Sequence, residues 1–351
     1  MGTNNYKRNN VEIKNENKNV DNQPNDICFL QNLTEDSYAE SYSEYKFDVF
    51  QSINDILTLV YSNKNYTIIF YNIIDNKKII EIKKAHCYYI TLLRHYLDKI
   101  KEIDYVISVS NLNQNIKLWN INTFECLFNL IYINVNGSIT SACFLNDNNQ
   151  NYILTCNFSS NNKKCDLIKV FDFEGKKVKE IKDSDENAHI IINFYDEKTK
   201  INYIITGNDS YAKSYNYNKN KIYHIYKTKS TKDEIHSIKI NNNEKIIKLL
   251  ASCGDGYVRV WNFHSGGLMK KINCKDYLNC ICLWDNEYVF VGCDNKLIKL
   301  VNLKTGEVIF DIISHNNYIL DIKKIIHPKY GHCLISQGNN DDQIKLWAVP
   351  K

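Results

Sequence analysis

The sequence predicts an all-β fold, a β-propeller: a closed ring of seven blades, each a sheet of four antiparallel strands. Three observations lead there. One short pattern, an alternating apolar strand closed by an aromatic and then a polar residue, recurs seven times. The recurrences lie 40 to 52 residues apart, close to the roughly 40–45 residues that one four-stranded blade occupies. Between successive copies the chain divides into short apolar strands separated by turn residues, with little helical periodicity.

The copies run in order as Ile68-Ile69-Phe70-Tyr71-Asn72, Ile116-Lys117-Leu118-Trp119-Asn120, Ile168-Lys169-Val170-Phe171-Asp172 and Ala212-Lys213-Ser214-Tyr215-Asn216. Val258-Arg259-Val260-Trp261-Asn262, Ile298-Lys299-Leu300-Val301-Asn302 and Ile344-Lys345-Leu346-Trp347-Ala348 complete the set. Measured at the fourth residue, the gaps are 48, 52, 44, 46, 40 and 46.

Four strands per repeat are most legible in the fifth and sixth copies. In the fifth, Ile235–Ile240 alternates, Ile247–Cys253 is an apolar run, and Asp255-Gly256 is a tight-turn signal before Val258–Asn262. His264-Ser265-Gly266-Gly267 then turns the chain into Leu268–Ile272. The sixth reads as Leu278–Trp284, Tyr288–Cys293, Leu297–Asn302 and Glu307–Ile312. None of the three prolines interrupts an inner strand.

The two ends complement one another. Trp347 stands four residues from the last residue, so the seventh blade lacks an outermost strand, while Ile27–Leu33 is an apolar segment with no blade of its own. That segment is expected to supply the missing strand and close the ring, because closure removes an open sheet edge. Residues 27–351 then form the propeller, and residues 1–26, rich in Asn and Lys, are expected to be a disordered tail.

Composition narrows the function classes. With 351 residues and 44% hydrophobic content the chain has enough apolar surface for a large core. The net charge is only +4, and Arg8, Arg94 and Arg259 are the only arginines. No dense basic stripe of the kind that tracks nucleic acid is present, so the lysines read as solvated. The twelve cysteines include no Cys-x-x-Cys pair and read as reduced, buried thiols of an intracellular protein. No apolar run of 18 residues and no signal-peptide core occurs, so a soluble protein of the cytoplasm or nucleus is expected. Met1-Gly2 with Lys7-Arg8 partly matches a myristoylation signal, but Tyr6 stands where serine or threonine is preferred, so membrane contact through a lipidated Gly2 is not expected.

In these repeated motifs the chain resembles the WD-repeat family over roughly residues 27–351. The resemblance implies a structural tetrad in each repeat: a His before the first strand, a Ser or Thr in the second, an Asp in the following turn, and the Trp. The seventh repeat offers His315, Ser336, Asp341 or Asp342, and Trp347. The second offers His86 and Trp119, with Asn113 in the Asp-like turn; the fourth offers Asp209 and His189, with Tyr215 for Trp; the fifth offers Asp255 and Trp261 without a clear His. The sixth has Asp294 in its turn and Val301 for Trp. These residues are expected to hold the fold rather than to act on a ligand.

No catalytic constellation is legible: there is no Gly-x-Ser-x-Gly elbow, no phosphate-binding Gly-Lys-Ser/Thr loop and no His-Glu-x-x-His. Neither a cofactor, a metal site nor an enzyme activity is expected. The resemblance instead implies a monomeric, non-catalytic scaffold or adaptor that binds protein or peptide partners in a multiprotein complex. The alternative is a membrane-recruited propeller binding phosphoinositide or another anionic ligand. Against it stands the scarcity of arginine, because the related phosphoinositide-binding propellers use a double-arginine motif.

Aligning the innermost strands puts Tyr89, Tyr277 and Tyr318 at one equivalent position, just before Ile90, Leu278 and Ile319. Tyr211 and Tyr257, which follow the turns at Asp209 and Asp255, are expected near the same face. Tyrosine offers a large contact area with few rotatable bonds, which suits a docking surface. Ser159–Cys165, Lys182–Ala188 and Tyr226–Glu234 read as insertions flanking that rim.

Overall fold

A computed structural model describes residues 27–34, 47–110, 115–131, 138–158, 168–181, 188–228, 233–242, 245–339 and 343–349. Among them the regular elements are strands, and they form seven antiparallel four-stranded sheets. The first strand in the chain, β1 (Cys28–Asn32), belongs to the last blade. Blade one is Asp48–Gln51, Leu57–Ser62, Ile68–Asn72 and Lys77–Ile82 (β2 to β5), and blade two is Ile90–Asp98, Ile103–Ser110, Asn115–Asn120 and Glu125–Ile131 (β6 to β9). Blade three comprises Ser138–Asp147, Gln150–Phe158, Ile168–Asp172 and Lys177–Ile181 (β10 to β13), and blade four Ile190–Asp196, Ile201–Gly207, Tyr211–Asn216 and Lys221–Lys227 (β14 to β17). Blade five is Ile235–Asn241, Lys248–Cys253, Tyr257–Asn262 and Leu268–Asn273 (β18 to β21). Blade six follows as Leu278–Leu283, Tyr288–Cys293, Leu297–Asn302 and Glu307–Ile313 (β22 to β25). Ile319–His327, Gly331–Gly338 and Ile344–Ala348 (β26 to β28) are the last three strands, and β1 completes their sheet in the order β1-β28-β27-β26.

The inner strands β2, β6, β10, β14, β18, β22 and β26 are neighbours in cyclic order, with β26 returning to β2. The ring is closed, and by the segment expected to close it. Cys28 pairs with Ala348 and Phe29 with Trp347, the Phe29 ring standing edge-on to the Trp347 indole at 5.4 Å. Leu33 N donates to Ile344 O at 2.8 Å, and Ile344 N donates to the Thr34 hydroxyl at 3.1 Å. Leu33 and Phe47 are buried with Leu57, Ile325, Ile335 and Leu346, so the first and last blades share one core cluster.

Position in the sheet explains the sequence pattern. Second strands are enclosed by neighbouring blades on both faces, and β7, β15, β19 and β23 are almost wholly buried. They therefore read as continuous apolar runs, whereas the outermost β25 alternates exposed and half-buried residues. The seven motif copies are the third strands. At the fourth motif residue the pairing between third and fourth strands carries a bulge in blades one to six, and in the seventh β1 bulges between Phe29 and Gln31, against Trp347 and Leu346. A bulge bends a strand and re-aims one side chain, so each aromatic marker sits at the same kink.

The expected strands of the fifth and sixth repeats fall within a residue of those observed. Gly256 makes the predicted turn at φ +84°, where a side chain would meet Asp276 O at 2.8 Å. Two expectations change. Tyr226 is no insertion residue: it lies in β17 and its side chain is fully buried. The lysines are not all solvated, since Lys213 and Lys299 of the motif are 3% and 6% exposed. No two cysteines are bonded among the described residues; eight are buried, but Cys28, Cys87 and Cys126 are exposed. Residues 1–26, Asn113, Asp341 and Asp342 lie outside the described residues, as do most of the three insertions.

Candidate functional site

Every inner strand begins on one face of the ring, so the loops that lead into them share that face. In five blades the inner strand bulges near its start, just after Ile90, Ile139, Ile235, Leu278 and Ile319. Residues immediately before these positions form a rim around the channel mouth: Tyr89, Ser138, Glu234, Tyr277 and Tyr318, with His189 in blade four. The three tyrosines are each half-buried.

Their surroundings differ. The Tyr89 ring meets Tyr66, from the β3–β4 turn, edge-on at 5.2 Å. Tyr277 donates its hydroxyl to Glu234 at 3.0 Å and lies against the His236 ring. It also covers Gly254 so closely that a Cβ there would come within 2.8 Å of the tyrosine ring. Glycine is required at 254 by that approach. Tyr318 sits where its backbone carbonyl accepts from Asn339 N at 2.7 Å. Tyr211 and Tyr257, also half-buried, open β16 and β20, with Lys213 Nζ 4.5 Å and Lys271 Nζ 3.7 Å from their ring centres.

The implied tetrad residues separate by blade. In blade two, Trp119 Nε1 donates to Ser108 Oγ at 2.8 Å, and His86 Nε2 lies 2.7 Å from the same oxygen. Blade seven repeats this: Trp347 Nε1 donates to Ser336 Oγ at 2.8 Å, with His315 Nε2 at 2.7 Å. Burial, and then the nearby Lys117 charge, push the His86 imidazole down to about 3, so it is neutral at ordinary pH. In blade four His189 contacts Asp209 directly. In blade five the position matching Ser108 is Ala251, paired with Arg259 as Ser108 is with Lys117. Blade five has neither that hydroxyl nor a tetrad His, and Asp255 bonds Arg259 instead. The Arg259 guanidinium, 1% exposed, donates to Asp255 at 2.7 and 2.5 Å and to Asp233 at 2.6 Å. Burial opposes both charges, yet the Arg259 bonds hold the Asp255 carboxyl below its ordinary pKa and raise that of the guanidinium. Trp261, 1% exposed, is buried in the core between blades four and five.

One recurring residue had escaped notice as a functional element: the cation at the second motif position. Lys117 Nζ donates to Ala85 O at 2.6 Å, Lys299 Nζ to Cys274 O at 2.7 Å and Lys345 Nζ to Ser314 O at 2.8 Å. Each acceptor lies in the loop leading into the inner strand of the same blade. The lysine therefore pins the loop that presents the rim, and its recurrence in five of the seven motif copies was the available signal. Among the described residues no cluster of His, Cys, Asp or Glu suits a metal ion, and no helix is long and apolar enough to cross a membrane.

Comparison with known proteins agrees with this architecture. A family model described as WD domain, G-beta repeat matches residues 221–262, the stretch from β17 through the Trp261 motif. The chain is 27% identical to WD repeat-containing protein JIP5 of Kluyveromyces lactis over 132 residues, which is 36% of this chain and 24% of that protein. It is 31% identical to WD repeat-containing protein JIP5 of Saccharomyces cerevisiae over 108 residues, 29% of this chain and 21% of that one. The chain thus spans about a quarter or less of the length of the curated relatives it matches.

Proposed function

We propose that this chain, a seven-bladed propeller whose motifs resemble those of WD-repeat proteins, is a non-catalytic scaffold whose rim face binds a segment of a partner protein. One observation carries the reading: Tyr89, Tyr277 and Tyr318 stand at one register position on one face, half-buried and held by loops that the motif lysines pin. Rigid, partly exposed aromatic rings around a channel mouth suit a hot spot, because little conformational freedom is lost on docking. The test replaces Tyr89, Tyr277 and Tyr318 together with Ala and reads copurification of the main partner by mass spectrometry. The expected result is loss of that partner, with melting temperature and circular dichroism showing an intact ring. A folded triple variant that keeps its partner overturns the docking site.

A second reading, recruitment to an anionic ligand such as a phosphoinositide, is favoured by one feature. Beside Tyr66, on the same face, lies a cavity of about 980 Å³ lined by Lys64, Lys83 and Lys84, with Lys78 tied to Glu81. Sedimentation with vesicles carrying a phosphoinositide, against phosphatidylcholine alone, tests it. Binding that disappears in a Lys64→Gln, Lys83→Gln, Lys84→Gln variant would support it, and absence of sedimentation would refute it.

A further inference from the structure

The channel carries a charge pattern that neither reading uses. Strand pairing places Asp48, Arg94, Cys143, Ile192, Lys239, Cys282 and Lys323 at one equivalent level of the seven inner strands, each opposite the matching residue of its second strand, with Asn193 one residue further along β14. This level holds three cations and one carboxylate. Asp321, two residues before Lys323, adds a second carboxylate. Lys323 takes both of them, at 3.3 Å from Asp48 and 3.4 Å from Asp321. Arg94 acts on Asp48 at longer range, but neither Arg94 nor Lys239 is in ion-pair contact with a carboxylate among the described residues.

Arg94 and Lys239 come from blades two and five. Burial, and then the Lys323 and Arg94 charges, hold the Lys239 ammonium below its ordinary pKa. Asp321 counters part of that effect on Lys239, but the Arg94 and Lys239 charges still repel one another. Between them around the ring stands Asn193, whose Oδ1 is buried without a hydrogen-bond partner. A cavity of about 850 Å³ opens from this level toward the face opposite the tyrosine rim. Arg94, Cys143 and Asn193 line it, with Asn146, Asp147, Asn149 and Lys200 also in its wall. At the inner-strand level the cations Arg94, Lys239 and Lys323 outnumber the carboxylates Asp48 and Asp321, and such an excess within low-dielectric walls concentrates ions of the opposite sign.

We propose that this mouth of the channel binds a small, soluble, multiply charged phosphate anion, held between Arg94 and Lys239 with the Asn193 amide as a further contact. The guanidinium fork matches two phosphate oxygens and the ammonium acts as a point charge. An amide nitrogen carries two N–H donors that an anion can accept from. The interior of a ring admits a free anion but not a bilayer, which sets the site apart from the lysine groove on the opposite face.

The experiment is titration calorimetry of the full chain with inorganic phosphate and with inositol hexakisphosphate, at ionic strength matched with chloride. Saturable binding is expected, tighter for the hexakisphosphate, accompanied by a rise in the wild-type melting temperature. Arg94→Gln and Lys239→Gln should each weaken it by about tenfold or more, while Lys64→Gln, Lys83→Gln, Lys84→Gln leaves it unchanged. Lys239→Gln removes a repelling charge, so its ligand-free form should melt no lower than wild type, which guards against a folding artefact. The proposal is overturned if the wild type shows neither saturable binding nor a melting shift, or if folded Arg94→Gln and Lys239→Gln bind as well as wild type. It is equally overturned if the lysine-groove variant is the one that loses affinity. Phosphoinositide vesicles supply the last arm: retention that depends on Arg94 and Lys239 would assign the anion to a lipid headgroup and overturn the soluble source.

Discussion

Blades two and five fasten the same structural joint with different chemistry. In both, the loop leading into the inner strand is tied to the third strand. Blade two does so with neutral groups around the Ser108 hydroxyl, which meets Trp119 and His86, while Lys117 reaches the Ala85 carbonyl. Blade five has Ala251 in the hydroxyl position, and its motif cation is Arg259, bonded to Asp233 in the loop and Asp255 in the turn. What is retained is a third-strand cation that holds the loop; what varies is whether it finds a carbonyl or carboxylates. The difference teaches that the loop clamp, rather than the complete tetrad, is the recurring unit of this ring.

The largest effect expected from that comparison is in blade five. Removing one member of a buried ion pair leaves the other charges desolvated, at a cost of about 3–5 kcal/mol. Arg259→Ala should therefore lower the melting temperature far more than Lys117→Ala, whose partner is a neutral carbonyl. Thermal denaturation followed by circular dichroism measures both, and equal losses would break the distinction between the two clamps.

Much of the ring was legible, and the reason for the remainder is physical. Seven third strands announce themselves because each repeats the same short motif and meets its outer neighbour at the same bulge. The closure by β1 was legible too, from one blade short of a strand and one strand short of a blade. Hidden from the sequence were relations between residues on different elements. Asp255 fits the turn position of a tetrad, yet its partner is Arg259, which also reaches Asp233 in the loop. The three rim tyrosines could be aligned, but the fit of Tyr277 over Gly254 depends on how two blades meet. Lys117 and Lys299 looked like surface charge because a lysine stem spans apolar surface and reaches a carbonyl several residues away from any obvious partner.

Acid sharpens the comparison by a smaller amount. His86 is neutral in the folded chain down to about pH 3, whereas an unfolded histidine takes a proton near pH 6.5. The unfolded state therefore binds the extra proton below about pH 6.5, and stability falls as pH drops through that window, by up to about 1.4 kcal/mol per unit. The Asp255 carboxyl is held below its ordinary pKa, so its contribution is present above about pH 3.8 and is lost only below it. Blade two should loosen first on acidification. Comparing melting temperatures from pH 7 to 4 tests this: His86→Asn should flatten the slope between pH 6.5 and 4, and an unchanged slope would assign the acid loss elsewhere.

The smallest effect concerns the blades where the hub is half-built. Thr155 and Thr206 occupy the Ser108 position in blades three and four, paired with Lys169 and Lys213. Their hydroxyls are buried without a hydrogen-bond partner, since Phe171 and Tyr215 replace the tryptophan whose indole N–H would donate to them. A buried hydroxyl with no partner forfeits its solvation and gains nothing, while a methyl of the same shape forfeits nothing. Thr206→Val should therefore leave the melting temperature unchanged or raise it slightly. Ser108→Ala, which strands the Trp119 N–H, should cost about 1–3 kcal/mol. If Thr206→Val destabilised the chain as much as Ser108→Ala, blade four would have a working hub of its own, and the loop clamp would no longer be the only unit the blades share.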